Sequence, residues 1–93
     1  SGKNLCNDLE VDFYNNLALC HLKKENYEEC VHKATQAIAI YNDNTKAFYL
    51  RAKAHLALKM LKEADEDVKQ AALLNGTEAK VQELLKEMKQ AKQ

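Results

Sequence analysis

Shifted by 34 residues, the sequence falls back onto itself. Tyr14 meets Phe48, Ala18 meets Ala52, His21 meets His55 and Leu22 meets Leu56. The match runs on, with Tyr27 on Leu61, Glu29 on Glu63, Cys30 on Ala64, Ala37 on Ala71 and Ile40 on Leu74. Aromatic replaces aromatic, small replaces small and aliphatic replaces aliphatic over a whole unit. A chain built this way has few folds open to it. Each unit is one supersecondary element that cannot bury its apolar face alone, so the units must stack on one another.

Inside each unit the apolar residues keep helical spacing. Tyr14, Leu17, Ala18 and Leu22 mark a helix from Val11 to Lys23, with Leu19 and Cys20 widening the stripe. A second helix is expected from Tyr27 to Tyr41, burying Cys30, Val31, Ala34, Ala37, Ile38 and Ile40. The third, Thr45 to Leu58, turns Phe48, Ala52, His55 and Leu56 inward; the fourth, Lys62 to Leu74, turns in Ala64, Val68, Ala71 and Leu74. Asn26, Asn44 and Thr77 are placed to cap helix starts. Gly76 is expected to close the fourth helix in a left-handed conformation. The last helix runs to about Lys92 with Val81, Leu84, Leu85 and Met88 on one side, which suits a cover for the exposed flank of the last unit.

A period of 34 with small and aromatic residues at fixed places is the signature of the tetratricopeptide repeat (TPR), a helix-turn-helix unit. The expected fold is all-α: two TPR repeats at 11–44 and 45–78 and a capping helix at 79–93. Residues 1–10 comprise Ser1-Gly2, which reads as a cloning remnant, and a polar stretch that either extends the first helix or frays. In most repeats of this kind a proline stands where Asn42 stands.

Composition removes several function classes. Fourteen basic and fourteen acidic side chains cancel, leaving no field for nucleic acid or an anionic membrane. No apolar run approaches the roughly 18 residues of a membrane span. Cys6, Cys20 and Cys30 are odd in number and lack a C-x-x-C pair, which fits a reduced compartment, the cytoplasm with the nucleus as second location. Cys20 and Cys30 match Ala54 and Ala64 in the other repeat, so packing accounts for both. Cys30 and His32 point about 200° apart on a helix, and no metal or other cofactor is expected. His21 and His55 read as half-buried packing residues. The single serine is Ser1, no nucleophile-base pair stands out, and no catalysis is expected. The run KEADEDVKQ reads as solvated helix surface.

Binding chemistry is written on the first helix of each unit. Lys46, Leu50 and Lys53 fall at i, i+4 and i+7 on one helix; Asp12, Asn16, Leu19 and Lys23 form the matching stripe on the other. Charged heads at the ends with aliphatic residues between suit an extended peptide carrying carboxylates and an apolar side chain. Lysine offers a point charge and asparagine a neutral donor. Asp12 opposes an acidic ligand.

The segment NNLALCHLKKENYEECVHKATQAI followed by NTKAFYLRAKAHLAL resembles the second and third TPRs of immunophilin-type co-chaperones. These are the large FK506-binding proteins, the forty-kilodalton cyclophilin and the aryl-hydrocarbon-receptor-interacting protein; NYEECVHKATQAIAIYNDNTKAFYLRAKAH looks closest to the last. The resemblance implies a groove, lined by the first helix of each repeat, that holds the acidic C-terminal peptide of Hsp90, with Hsp70 as second partner and client proteins beyond. It also implies a clamp on the terminal carboxylate, in which Asn16 supplies the second-repeat asparagine and Lys46 the third-repeat lysine. Where the clamp's arginine is expected, one turn after that lysine, the chain has Leu50. Arg51 lies about 100° around the helix and corresponds to an additional basic residue. The first repeat's lysine and asparagine fall outside these residues, as does the isomerase-like domain such proteins often carry. Two other readings stand beside this one: a TPR scaffold whose degraded clamp holds a different peptide, and, from another class, a thiol or metal protein.

Overall fold

The computed structural model describes residues 3–93, and Ser1-Gly2 lies outside them. Five helices follow one another among the described residues: α1 (Leu5–Lys23), α2 (Tyr27–Ile40), α3 (Thr45–Ala57), α4 (Leu61–Asn75) and α5 (Ala79–Ala91). The polar stretch before Val11 does extend the first helix. Asn4 caps it by accepting from the Asn7 amide at 2.8 Å, and Tyr41 ties it to the α2–α3 turn through Asp8 at 2.7 Å. Lys3 adds an ion pair to Asp43 at 2.7 Å across the same junction. Side chains thus hold the turn in which repeats of this kind usually place proline.

The two tight turns inside the repeats are built alike. After α1, the Glu25 amide bonds back to Leu22 O and the Asn26 amide to His21 O; after α3, Lys59 and Met60 repeat this onto Leu56 O and His55 O. Both closures require a left-handed residue, and Glu25 (φ 63°) and Lys59 (φ 65°) supply it, 34 positions apart. Glycine normally takes this place because it has no Cβ to clash. The turn leaves little for the following cap to do: Asn26 precedes α2 without making the expected side-chain cap bond, whereas Asn44 does cap α3, accepting from Ala47 N at 3.2 Å. At the end of α4 the expectation was also different. Gly76 stays right-handed (φ −70°), and its missing side chain matters because a Cβ there would come 2.7 Å from Ala72 O. The residue before α5 is Glu78, not Thr77, and it makes no side-chain cap.

Helices pair through their small residues. Ala18 and Cys30 are fully buried where α1 meets α2, and Ala52 and Ala64 where α3 meets α4. The Cys30 thiol donates to Leu50 O at 3.6 Å, and burial pushes its pKa up to about 11. α1 and α2 then cover one face of α3, burying Ala47, Leu50 and Ala54. The same face of α1 is uncovered: Phe13, the counterpart of Ala47, is 59% exposed, and Cys20, the counterpart of Ala54, is exposed too. Cys20 is therefore no packing residue among the described elements, contrary to its repeat position. α5 packs Val81, Leu84 and Met88 against α3 and α4, while Leu85 and Leu74 stay at the surface. Lys92 and then Lys69 hold the Asp65 carboxyl below its ordinary value, and the Lys92 pair straps the end of α5 to α4.

One buried acid braces the second repeat. Asp67 is 3% exposed, and it accepts two bonds from Arg51 (2.8 and 3.0 Å) and approaches His55 Nδ1 at 2.9 Å. Arg51 also donates to Thr35 Oγ1 at 3.0 Å and lies over the Phe48 ring, so α2, α3 and α4 meet at one guanidinium. The expectation of a wholly solvated KEADEDVKQ surface fails at this residue: of its acids, Asp67 faces the helix that carries Arg51 and is desolvated by it.

Two outcomes are expected. Lys59→Gly should stabilise the fold by about 0.5–1 kcal/mol, since relief of a left-handed side chain outweighs the extra chain entropy; urea unfolding measures this, and destabilisation would contradict the turn geometry. Asp67→Ala should cost about 2–4 kcal/mol by stranding Arg51 and His55. A loss under about 0.5 kcal/mol would show the brace to be idle.

Candidate functional site

α1 and α3 lie side by side and present the two predicted stripes. Their relative placement is set by a reciprocal amide pair. Asn15 Nδ2 donates to Asn44 Oδ1 at 3.4 Å and Asn44 Nδ2 to Asn15 Oδ1 at 3.3 Å, while the same Asn44 oxygen caps α3. Asn15 is buried next to exposed Asn16, and Asn44 stands two residues before exposed Lys46. This lock was not foreseen. Its sequence signal was Asn15 itself, a polar residue on the inward side of α1 that needs a polar partner.

The predicted residues fall into three situations. Asn16, Lys23 and Lys46 are exposed, and among the described residues neither lysine makes an ion pair. Leu19 is partly buried and packs against the α1–α2–α3 core. Leu50 is 2% exposed in that core, so it forms floor beneath the groove and is no contact at its rim. Lys53 is partly exposed, and its ammonium is taken by Glu87 of α5, 3.3 Å from each carboxylate oxygen.

An open hollow at the C-terminal ends of α1 and α3 brings Lys23 and Lys53 together, with Leu22, Tyr27 and Leu56 as apolar walls and Glu25 and Glu87 on the rim. Lys46 lies about 10 Å away along α3, seven residues at a rise of 1.5 Å each. The groove is therefore polar at two places and apolar between them. Arg51 contributes nothing to it, since its guanidinium is bound to Asp67 and Thr35. Among the described residues no three His, Cys, Asp or Glu side chains come together in a way that could hold a metal ion. Among the described residues no helix is long and apolar enough to cross a membrane.

Comparison with known proteins agrees with this fold. The Hsp70/Hsp90 co-chaperone cns1 of Schizosaccharomyces pombe is 33% identical over 81 residues, spanning 87% of this chain and 23% of that protein. FK506-binding protein 59 of Drosophila melanogaster is 32% identical over 59 residues, 63% of this chain and 13% of that protein. The chain thus spans about a quarter or less of these relatives, and the FK506-binding type is one among several kinds of TPR co-chaperone that it resembles. In structure it superposes on the second TPR domain of human RPAP3, solved in complex with the HSP70 peptide SGPTIEEVD. That match has a TM-score of 0.80 and 32% identity, and covers 85% of this chain and 66% of the other. Residues 4–71 match the family described as "Anaphase-promoting complex, cyclosome, subunit 3". The chain belongs to this ANAPC3 family of tetratricopeptide-repeat proteins.

Proposed function

We propose that the α1–α3 groove binds the acidic C-terminal peptide of Hsp90, with Hsp70 as the second partner, and that the chain is the adaptor part of a cytoplasmic, immunophilin-like co-chaperone. The observation that carries this reading is Lys46. Among the described residues it makes no ion pair, and it is exposed near the start of α3, as Asn16 is on α1, on helices held in register by the Asn15–Asn44 lock. A charged donor and a neutral one on facing helices suit a terminal carboxylate, and the floor of Leu19 over Leu50 suits an apolar side chain next to it. The HSP70 peptide SGPTIEEVD held by the RPAP3 domain, a 32% identical neighbour, has chemistry of this kind: acidic and aliphatic residues, with an aspartate as its last residue. Hsp90 is preferred over Hsp70 on the resemblance to immunophilin-type repeats.

The remaining clamp residues would come from a helix pair lying on the uncovered face of α1. That face is the equivalent of the one α1 and α2 cover on α3, and Phe13 and Cys20 would be buried there. Groove recognition needs no catalysis from this chain.

A second reading, a scaffold for a different peptide, draws on Leu50. Its burial removes the position from which an arginine would have reached the ligand, and Asp12 adds repulsion. The two readings part in a calorimetric titration. With the C-terminal peptide of Hsp90, Lys46→Ala should weaken binding five- to thirtyfold, the loss of about 1–2 kcal/mol for a charge-assisted contact in an open groove. Binding should also fall as salt rises. Unchanged affinity in Lys46→Ala, at low and high salt alike, would favour the other scaffold.

A further inference from the structure

We infer that Glu87 on α5 is an internal competitor for the peptide groove, occupying Lys53 and directing ligand carboxylates to the Lys46 end. The inference rests on the peptide-binding reading and adds to it a residue from outside the two groove helices.

Glu87 does not reach Lys53 by chance flexibility. It follows Leu84 by three residues and precedes Met88 by one, so it sits at the edge of the face by which α5 docks. Leu84 and Met88 are buried in the same cluster as Ala52, the neighbour of Lys53. Docking α5 therefore delivers a carboxylate to the α3 lysine each time the fold forms. The pair is loose: both oxygens stand 3.3 Å from Nζ, longer than the roughly 2.7–2.9 Å of a tight ammonium–carboxylate bond. Both side chains remain partly exposed, 32% for Lys53 and 41% for Glu87. Such a contact can be displaced by an external carboxylate, but it must first be opened, and the displaced Glu87 then stays nearby as a like charge.

The surroundings add to this effect. Lys23 and Glu25 flank the same hollow, so its charges are two lysines against two glutamates. A peptide carboxylate gains little there. Lys46, by contrast, has no acidic partner among the described residues. The two ends differ in how their lysines are held: Lys53 is engaged from within by Glu87, whereas Lys46, although Asp12 stands at the same end of the α1 stripe, makes no ion pair among the described residues. An acidic terminus should settle at Lys46, with the less acidic upstream residues toward Leu22, Tyr27 and Leu56.

The test is a double-mutant cycle, read by calorimetry with the peptide SGPTIEEVD and with the C-terminal peptide of Hsp90. Glu87→Gln keeps the shape of the side chain and removes its charge. It should tighten acidic peptide about three- to tenfold at low salt, as expected for freeing one partly exposed lysine and removing one repulsion. The gain should vanish in a Lys53→Ala background and fade by about 0.5 M salt. Circular dichroism of Glu87→Gln should match the unsubstituted protein, since the pair is on the surface. If Glu87→Gln binds no tighter while Lys46→Ala still weakens binding, the competitor role is wrong and the peptide groove stands. If neither peptide binds the protein or any variant, both are wrong.

Discussion

Asp67 is the constraint on which the second repeat depends. A carboxylate so deeply buried is costly unless its charge is matched and its oxygens are bonded: the Arg51 guanidinium matches the charge, and the His55 ring adds a contact at 2.9 Å. The consequence reaches beyond stability. Because Arg51 faces Asp67 and Thr35, the face of α3 that looks toward α4 and α2 is fixed, and the remaining faces are fixed with it. Leu50 is turned into the core with α1 and α2, and Lys46 and Lys53 are left at the groove. The only arginine of the chain is spent on architecture, and the groove has lysines alone.

That division shapes the chemistry the groove can offer. An arginine can grip a carboxylate through two parallel bonds and fix its plane; a lysine gives one strong charge and little orientation. In the proposed complex, orientation would then come from the neutral amide of Asn16 and from Leu19, which packs on the core that holds Leu50. In the proposed groove the lock between Asn15 and Asn44 would serve this purpose, since it ties the helix bearing Asn16 to the start of the helix bearing Lys46. Recognition in such a groove is a matter of spacing between weak contacts, each of which water can reach.

How much of this the sequence disclosed depended on whether a residue acted within its own period or across helices. The repeat, the five helices and the small residues at Ala18, Cys30, Ala52 and Ala64 were legible, because periodicity reports which side of a helix is buried. Leu85 and Leu74 were assigned inward and lie at the surface, since a stripe does not tell how wide its partner is. Asp67 was invisible: an acid in a charged run looks solvated until the helix opposite is known to carry Arg51. Cys20 erred the other way. Its repeat position promised burial, but burial belongs to neighbours, and the described residues place nothing on that face of α1. Of the proposed site, the sequence offered residue types alone; that Lys53 is paired, Leu50 buried and Lys46 without an ion pair among the described residues needed α5 and the core in place. The left-handed turns escaped because Glu25 and Lys59 carry none of the glycine that usually marks them.

The central claim is that the α1–α3 groove takes a free carboxylate at its Lys46 end. It is tested most directly by backbone amide chemical shifts on titrating SGPTIEEVD with a free C-terminus and, separately, with an amidated one. The expected result is a response confined to α1 and α3, largest around Asn16, Leu19 and Lys46, and much stronger for the free acid. Equal responses to the two peptides, or shifts centred on α4 and α5, would contradict it.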